Sequence, residues 1–177
     1  MTDKFDIIVI GGGHAGCEAA LAGAKLGLKT LLLTMSVETI GLMSCNPAVG
    51  GLAKGQIVKE IDSLGGLMAI ATDASAIQFR TLNTKKGPAV RSTRAQVDIE
   101  AYRLYMKAAI LGQPGIEVRE ATVEGLIVRS GRIEGVRTSS DEKYLTGCVI
   151  ITTGTFLNGL IHIGLEHWAG GRMGEAD

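Results

Sequence analysis

No apolar run in this sequence approaches the ~20 residues that a membrane-crossing helix needs. The run near the start, Phe5–Ile10, is only about six residues long and leads straight into glycines, so it does not read as a signal peptide. Net charge is also missing: 18 basic residues balance 18 acidic ones. Nothing global therefore points to nucleic acid, and any such role must rest on a local patch. Cysteine is scarce, with three scattered residues in neither metal-ligand spacing nor a disulfide framework. That fits a reducing compartment, and the expectation is a cytoplasmic protein with no membrane partner and no metal. Repeats, low-complexity tracts and a clear domain boundary are absent too. What remains, 177 residues at 46% hydrophobic, is enough for one domain with a real core.

Glycine is in excess, at 25 residues, about twice the usual ~7%. The surplus sits in clusters: Gly11-Gly12-Gly13, Gly50-Gly51, Gly65-Gly66 and Gly170-Gly171. Backbone that bends tightly or comes close to a ligand has this signature.

Residues 5–10 are β-rich and end at glycines, which predicts a buried strand. Residues 14–27 predict a helix stopped at Gly27, and 29–33 the next strand, a βαβ unit with parallel neighbours. Residues 35–51 read as a long irregular loop and 52–64 as a helix ended by Gly65-Gly66. A short strand is expected at Ile77–Arg80, a helix over 94–111, and strands at 116–119, 122–129 and 132–138. The last two form a hairpin about Ser130-Gly131. One further apolar strand is expected over 144–153, followed by a loop-like end that suggests a piece of a longer protein.

The motif with chemistry is Gly11-x-Gly13-x-x-Gly16, directly after a strand and opening a helix. In that context the first glycine permits the turn and the second lets a pyrophosphate approach. The third allows strand–helix packing, while the helix N-terminus favours the negative charge. The site therefore takes in Gly11, Gly12, Gly13, His14, Ala15 and Gly16, with the His14 imidazole read as structural. The acid expected at the end of the second strand is replaced by Thr34, a weaker partner for ribose hydroxyls. Glu38 can substitute only if the loop folds back.

The long insertion before an apolar strand ending in Thr153-Gly154 resembles the two-dinucleotide-binding flavoproteins more than NAD domains. That resemblance implies FAD, with Val123 beside the adenine. The expected fold is α/β: a Rossmann-like FAD-binding domain with a parallel sheet plus an inserted β-hairpin or meander. Residues 1–177 would form that domain, left incomplete because the superfamily's late Gly-Asp motif is lacking.

Longer stretches narrow the resemblance. GGGHAGCEAA, MSCNPAVGGLAKGQIVKEIDSLGG, IQFRTLNTKKGPAVRSTRAQVD, TTGTFLNGLIHIG and GGRMGE together resemble the MnmG/GidA family, over about the first third of a typical member. Thr34 matches that family. The resemblance implies FAD-dependent carboxymethylaminomethyl modification of C5 of the wobble uridine in tRNA, with the GTPase MnmE as partner. Methylenetetrahydrofolate would supply the one-carbon unit, glycine or ammonium the amine and NADH the reducing power, in a homodimer.

Within MSCNPAVGG, Cys45 matches the family's Ser-Cys-Asn-Pro motif and is the candidate catalytic residue, as nucleophile or as acid/base. Physically, C5 of uracil is a poor nucleophile until a group adds at C6, and a thiolate suits that addition. Gly50 and Gly51 would let backbone approach the isoalloxazine. A packing role for Cys45 is the alternative, and Cys17 and Cys148 are both read as core residues. The family's second cysteine is expected beyond this chain.

From Ala74 to Val97 there is no acidic residue, while Arg80, Lys85, Lys86, Arg91 and Arg94 are basic. Such a stretch is either a solvated loop or a polyanion surface. Arg91 and Arg94 are assigned to cofactor phosphates or the folate tail, since arginine can clamp phosphate with two donors. Arg80, Lys85 and Lys86 are assigned to tRNA. Apart from Phe79 no aromatic interleaves, so base stacking is not expected. Two other readings stand beside this one: a TrmFO-like folate- and FAD-dependent tRNA uridine methyltransferase, which would carry an acid in place of Thr34, and a catalytically incomplete FAD-binding module.

Overall fold

The computed structural model describes residues 3–172. Strand β1 (Ile7–Ile10), helix α1 (His14–Lys25) and strand β2 (Thr30–Thr34) form the expected βαβ unit, with Gly27 at φ +79° turning the chain back. Two further strands complete a parallel sheet in the order β10-β1-β2-β6, where β6 is Ile116–Glu120 and β10 is Val149–Ile151.

Period-two alternation divides this sheet between two cores. Val9 and Leu32 face α1 and the helix α4 (Ile99–Gly112), packing with Cys17, Ala20, Met106 and Ile110. Ile8, Leu31 and Leu33 face the other way, onto Phe5, Val136 and Tyr144. That second layer is an antiparallel meander of β7 (Val123–Arg129), β8 (Arg132–Thr138) and β9 (Lys143–Leu145), the inserted unit the sequence implied. Every residue of β2 is buried. Each large apolar side chain so enclosed contributes about 1.5–3 kcal/mol.

A third sheet, β3-β5-β4, lies outside this sandwich: β3 is Ala48–Gly50, β4 Ala76–Leu82 and β5 Ser92–Val97. Between β3 and β4 come α2 (Lys54–Ser63) and α3 (Met68–Ser75). Several expectations are corrected here. The helix expected over 94–111 begins only at Ile99, where the Asp98 side chain accepts the Ala101 N–H at 2.9 Å. Residues 92–97 instead pair with both β3 and β4, burying Ser92, Ala95 and Val97.

The single strand expected over 144–153 is two strands in different sheets. Thr146 divides them: its hydroxyl donates to the Asp6 carbonyl at 3.0 Å and accepts the Cys148 N–H at 3.1 Å. Cys148, read as a core residue, is exposed, because it stands at the start of the sheet's outer strand. The loop-like end contains a hairpin, β11 (Leu160–Ile163) with β12 (Glu166–Ala169), turned at Gly164 with φ +61°. The loop read over 35–51 holds a 3-10 turn, Val37–Thr39, as well as β3.

Candidate cofactor cleft

At the C-terminal ends of β1, β2 and β10 a cleft of about 610 Å³ opens between the helical layer and the meander. In parallel α/β sheets this is where ligands bind. Its floor is the glycine turn, and each glycine there has a distinct structural reason. Gly11 has φ +106°, and a Cβ on it would stand 2.5 Å from the Thr152 carbonyl oxygen. A Cβ on Gly16 would collide with the Gly11 carbonyl, so α1 can lie this close to β1 only without one. Gly13 has nothing within 4 Å of the position its Cβ would take. The space at Gly13 is open, next to the N-terminus of α1, where an anionic group is favoured.

The turn is braced from β10. The Thr152 hydroxyl donates to the Ile10 carbonyl at 2.8 Å and lies 3.1 Å from the Gly11 carbonyl, while the Thr152 N–H donates to Ile10 at 2.8 Å. Thr152 was not singled out in the sequence, although it stands in the Thr-Thr-Gly stretch whose next two residues were. Thr153, Gly154 and Val123 line the cleft with Thr34 and His14. Arg172, also not singled out, lines it as well, with its guanidinium 5.5 Å from the Phe156 ring. The only signal for it was the Gly-Gly-Arg stretch.

Thr34 is buried and donates its hydroxyl to the Ser36 carbonyl at 3.2 Å. A Cβ on Gly12 would come 2.9 Å from its Oγ1, so the small side chain at position 34 and the glycine at position 12 fit one another. Glu38 does not line the cleft. Its carboxylate pairs with Lys107 at 2.6 Å and Arg103 at 3.5 Å on α4, and the Lys107 hydrogen bond holds it below the usual carboxylate range. Ala15 and Gly16 lie behind the turn on α1.

Cys45 is exposed on the loop before β3, next to Ser44, which lines the cleft; their Sγ and Oγ are 3.9 Å apart. Gly50 and Gly51, both at positive φ, serve the neighbouring sheet: a Cβ on Gly50 would strike the Thr93 carbonyl, which also accepts the Gly51 N–H at 2.9 Å. Arg91 donates its Nε–H to the Lys86 carbonyl at 3.1 Å. Arg94 on β5 is the register partner of Arg80 on β4, and both are exposed. Thus the structure gathers the glycine turn, Thr34, Val123, Thr153 and Gly154 in one cleft. It gathers Arg80, Lys85, Lys86, Arg91 and Arg94 on a separate outer sheet and its turn.

The cysteines differ in kind. Burial pushes the Cys17 thiol up to about 12, so it stays protonated at neutral pH. Among the described residues no group of three or more acidic, histidine or cysteine side chains could hold a metal ion.

A family model described as "Glucose inhibited division protein A" matches residues 6–177. A relative from Desulfotalea psychrophila, the tRNA uridine 5-carboxymethylaminomethyl modification enzyme MnmG, is 61% identical over 175 residues, covering 99% of this chain and 27% of that protein. The solved structure of Aquifex aeolicus GidA superposes with a TM-score of 0.94 at 52% identity, over 98% of this chain and 29% of that one. A probable FAD-dependent monooxygenase from Pseudomonas aeruginosa shares the fold, with a TM-score of 0.58 at 17% identity over 83% of this chain and 42% of that one. The chain therefore spans a little over a quarter of the length of the curated relatives it matches.

Proposed function

The chain belongs to the glucose inhibited division protein A family, and from that premise we propose that it is the incomplete FAD-binding domain of a tRNA uridine 5-carboxymethylaminomethyl modification enzyme. The observation that carries the reading is the open space at Gly13, in a turn braced by Thr152. The residues present fit a dinucleotide. Backbone N–H groups of Gly12, Gly13 and His14 would hold the pyrophosphate at the start of α1, where the helix dipole favours negative charge. Thr34 would serve the ribose and Val123 the adenine side, with Thr153 and Gly154 closing the cleft. FAD, when bound, supplies the redox chemistry.

Cys45 is the nucleophile in this reading. Its thiolate adds at C6 of the uracil, which raises electron density at C5 for attack on the one-carbon unit, and it leaves when C5 loses its proton. What supports the role is its exposure on a loop whose preceding residue lines the cleft. Methylenetetrahydrofolate would bring the carbon, glycine or ammonium the amine and NADH the electrons. MnmE would be the partner of a homodimer acting on the wobble uridine of tRNA in the cytoplasm. Arg80, Lys85 and Lys86 would meet tRNA phosphates; Arg94, expected from the sequence at a cofactor phosphate or the folate tail, stands outside the cleft opposite Arg80 and would join them.

Two measurements test this. The purified protein should retain a yellow flavin, and Gly13→Val should strip it by filling that space. A protein that stays colourless after FAD is added overturns the cofactor assignment. In the full-length enzyme Cys45→Ser should abolish uridine modification while leaving FAD bound; full activity in that variant overturns the nucleophile.

A further inference from the structure

Two polar atoms beneath the phosphate turn are buried without a hydrogen-bond partner among the described residues: Nδ1 of His14 and the hydroxyl of Tyr102. They belong to neighbouring side chains. The two rings meet edge to face with centroids 5.7 Å apart and planes at 75°. Tyr102 is fully enclosed in the core between α1 and α4, whereas His14 lines the cleft. A buried hydroxyl and a buried ring nitrogen on two rings in contact, each lacking a partner, are a donor and an acceptor suited to one another.

We propose that Tyr102 is a positioning residue for His14: when the cleft fills, its hydroxyl donates to Nδ1 and fixes the imidazole as the neutral tautomer whose Nε2–H faces the anionic cofactor. The inference rests on the FAD reading above and gives one side chain of the turn a role. The tautomer of a histidine is set by the bond its other nitrogen makes. With Nδ1 accepting from Tyr102, the proton must sit on Nε2, the nitrogen left to the cleft side. His14 then adds a neutral donor to the backbone N–H groups of the turn, and its contribution does not change with pH.

The surroundings agree with a neutral ring. Burial holds His14 below the ordinary imidazole range. Of the titratable groups nearby on α1, Cys17 is kept protonated by burial, and Glu18 accepts the N–H groups of Leu67 and Met68. On α4, Arg103 and Lys107 are turned to Glu38. Glu124 and Arg172 line the same cleft.

The test is FAD affinity, followed by flavin fluorescence from about pH 4.5 to 8.5 in the full-length protein, a window that reaches well below the ordinary imidazole range because burial lowers His14. Wild type should give a flat profile. Tyr102→Phe should weaken binding roughly two- to tenfold at the alkaline end, the loss of one hydrogen bond. It should also tighten binding as pH falls, because Nδ1 then takes a proton and the imidazolium attracts the pyrophosphate. Adding His14→Gln to that variant should flatten the profile again. A flat Tyr102→Phe profile, parallel to wild type, overturns the inference while leaving the FAD reading intact. A wild-type protein with no affinity for FAD overturns both. Selective ¹⁵N-histidine NMR of the FAD-loaded wild type needs no variant: an Nε2–H signal for His14 supports the proposal, and an Nδ1–H signal overturns it.

Discussion

Thr152 ties the last strand of the parallel sheet to the turn that follows the first, through a hydroxyl shared between two carbonyls. Thr152→Val keeps the shape and removes both contacts, so it should cost about 1–3 kcal/mol. The check is the urea midpoint, with weaker FAD retention alongside. Cysteine reactivity offers a second residue-scale outcome. At neutral pH a maleimide should label Cys45 and Cys148, both exposed, and spare Cys17 until the chain unfolds; mass spectrometry of tryptic peptides reads it. Above the ordinary thiol range, Cys17 works against stability. Its folded value is raised above the ordinary thiol range, so its contribution is full below that range and fades as pH climbs towards about 12. The glycine turn was legible because its requirements are local: a positive φ at Gly11 and no room for Cβ at Gly16. Thr152 was not legible as a brace, since its partners lie 142 and 141 residues away.

Elements show the same division between local and distant causes. Helix α3 begins where the Glu18 carboxylate, projecting from α1, accepts the Leu67 N–H at 2.9 Å and the Met68 N–H at 2.6 Å. No residue next to the helix supplies that cap, and the segment passed unassigned in the sequence. Glu18→Ala should cost about 1–3 kcal/mol by leaving those donors without their partner. Hydrogen exchange should show the loss at the first turn of α3. By contrast Asp98 caps α4 from the adjacent position, and Asp98→Ala should cost about 1 kcal/mol. Strand β5 was hidden because its alanine and glutamine suit a helix, and only the edges of β3 and β4 draw it into a sheet. The Glu38 ion pairs that clamp the 3-10 turn to α4 carry a pH signature. Since its folded value is depressed, their stabilisation holds above the ordinary carboxylate range and is lost as pH falls through the lower folded value. Glu38→Gln should remove that acid-side loss in pH-dependent melting, with only a small change at neutrality because the pair is exposed.

At the scale of the whole molecule, a nearly neutral chain separates its tasks by surface. The cleft lies between the helices and the meander, while the cations of residues 80–94 stand on an outer sheet where Arg80 opposes Arg94. Like charges directly opposite one another disfavour a strand pair, a cost that an anion laid across them would offset. If these cations meet tRNA as proposed, replacing both arginines by glutamine in the full-length protein should weaken tRNA binding and lower the slope of log affinity against log salt by about one per lost phosphate contact. FAD retention should stay unchanged. The order of the parallel sheet has a further consequence, in time. β1 is flanked by β2, which follows directly after helix α1, and by β10, whose Ile150 pairs with Val9. On the ribosome, at about 5–20 residues per second, the strand that covers that edge emerges roughly 7–30 s after β1. Until then the nascent chain carries a bare hydrophobic strand edge, the feature most prone to pair with the wrong neighbour.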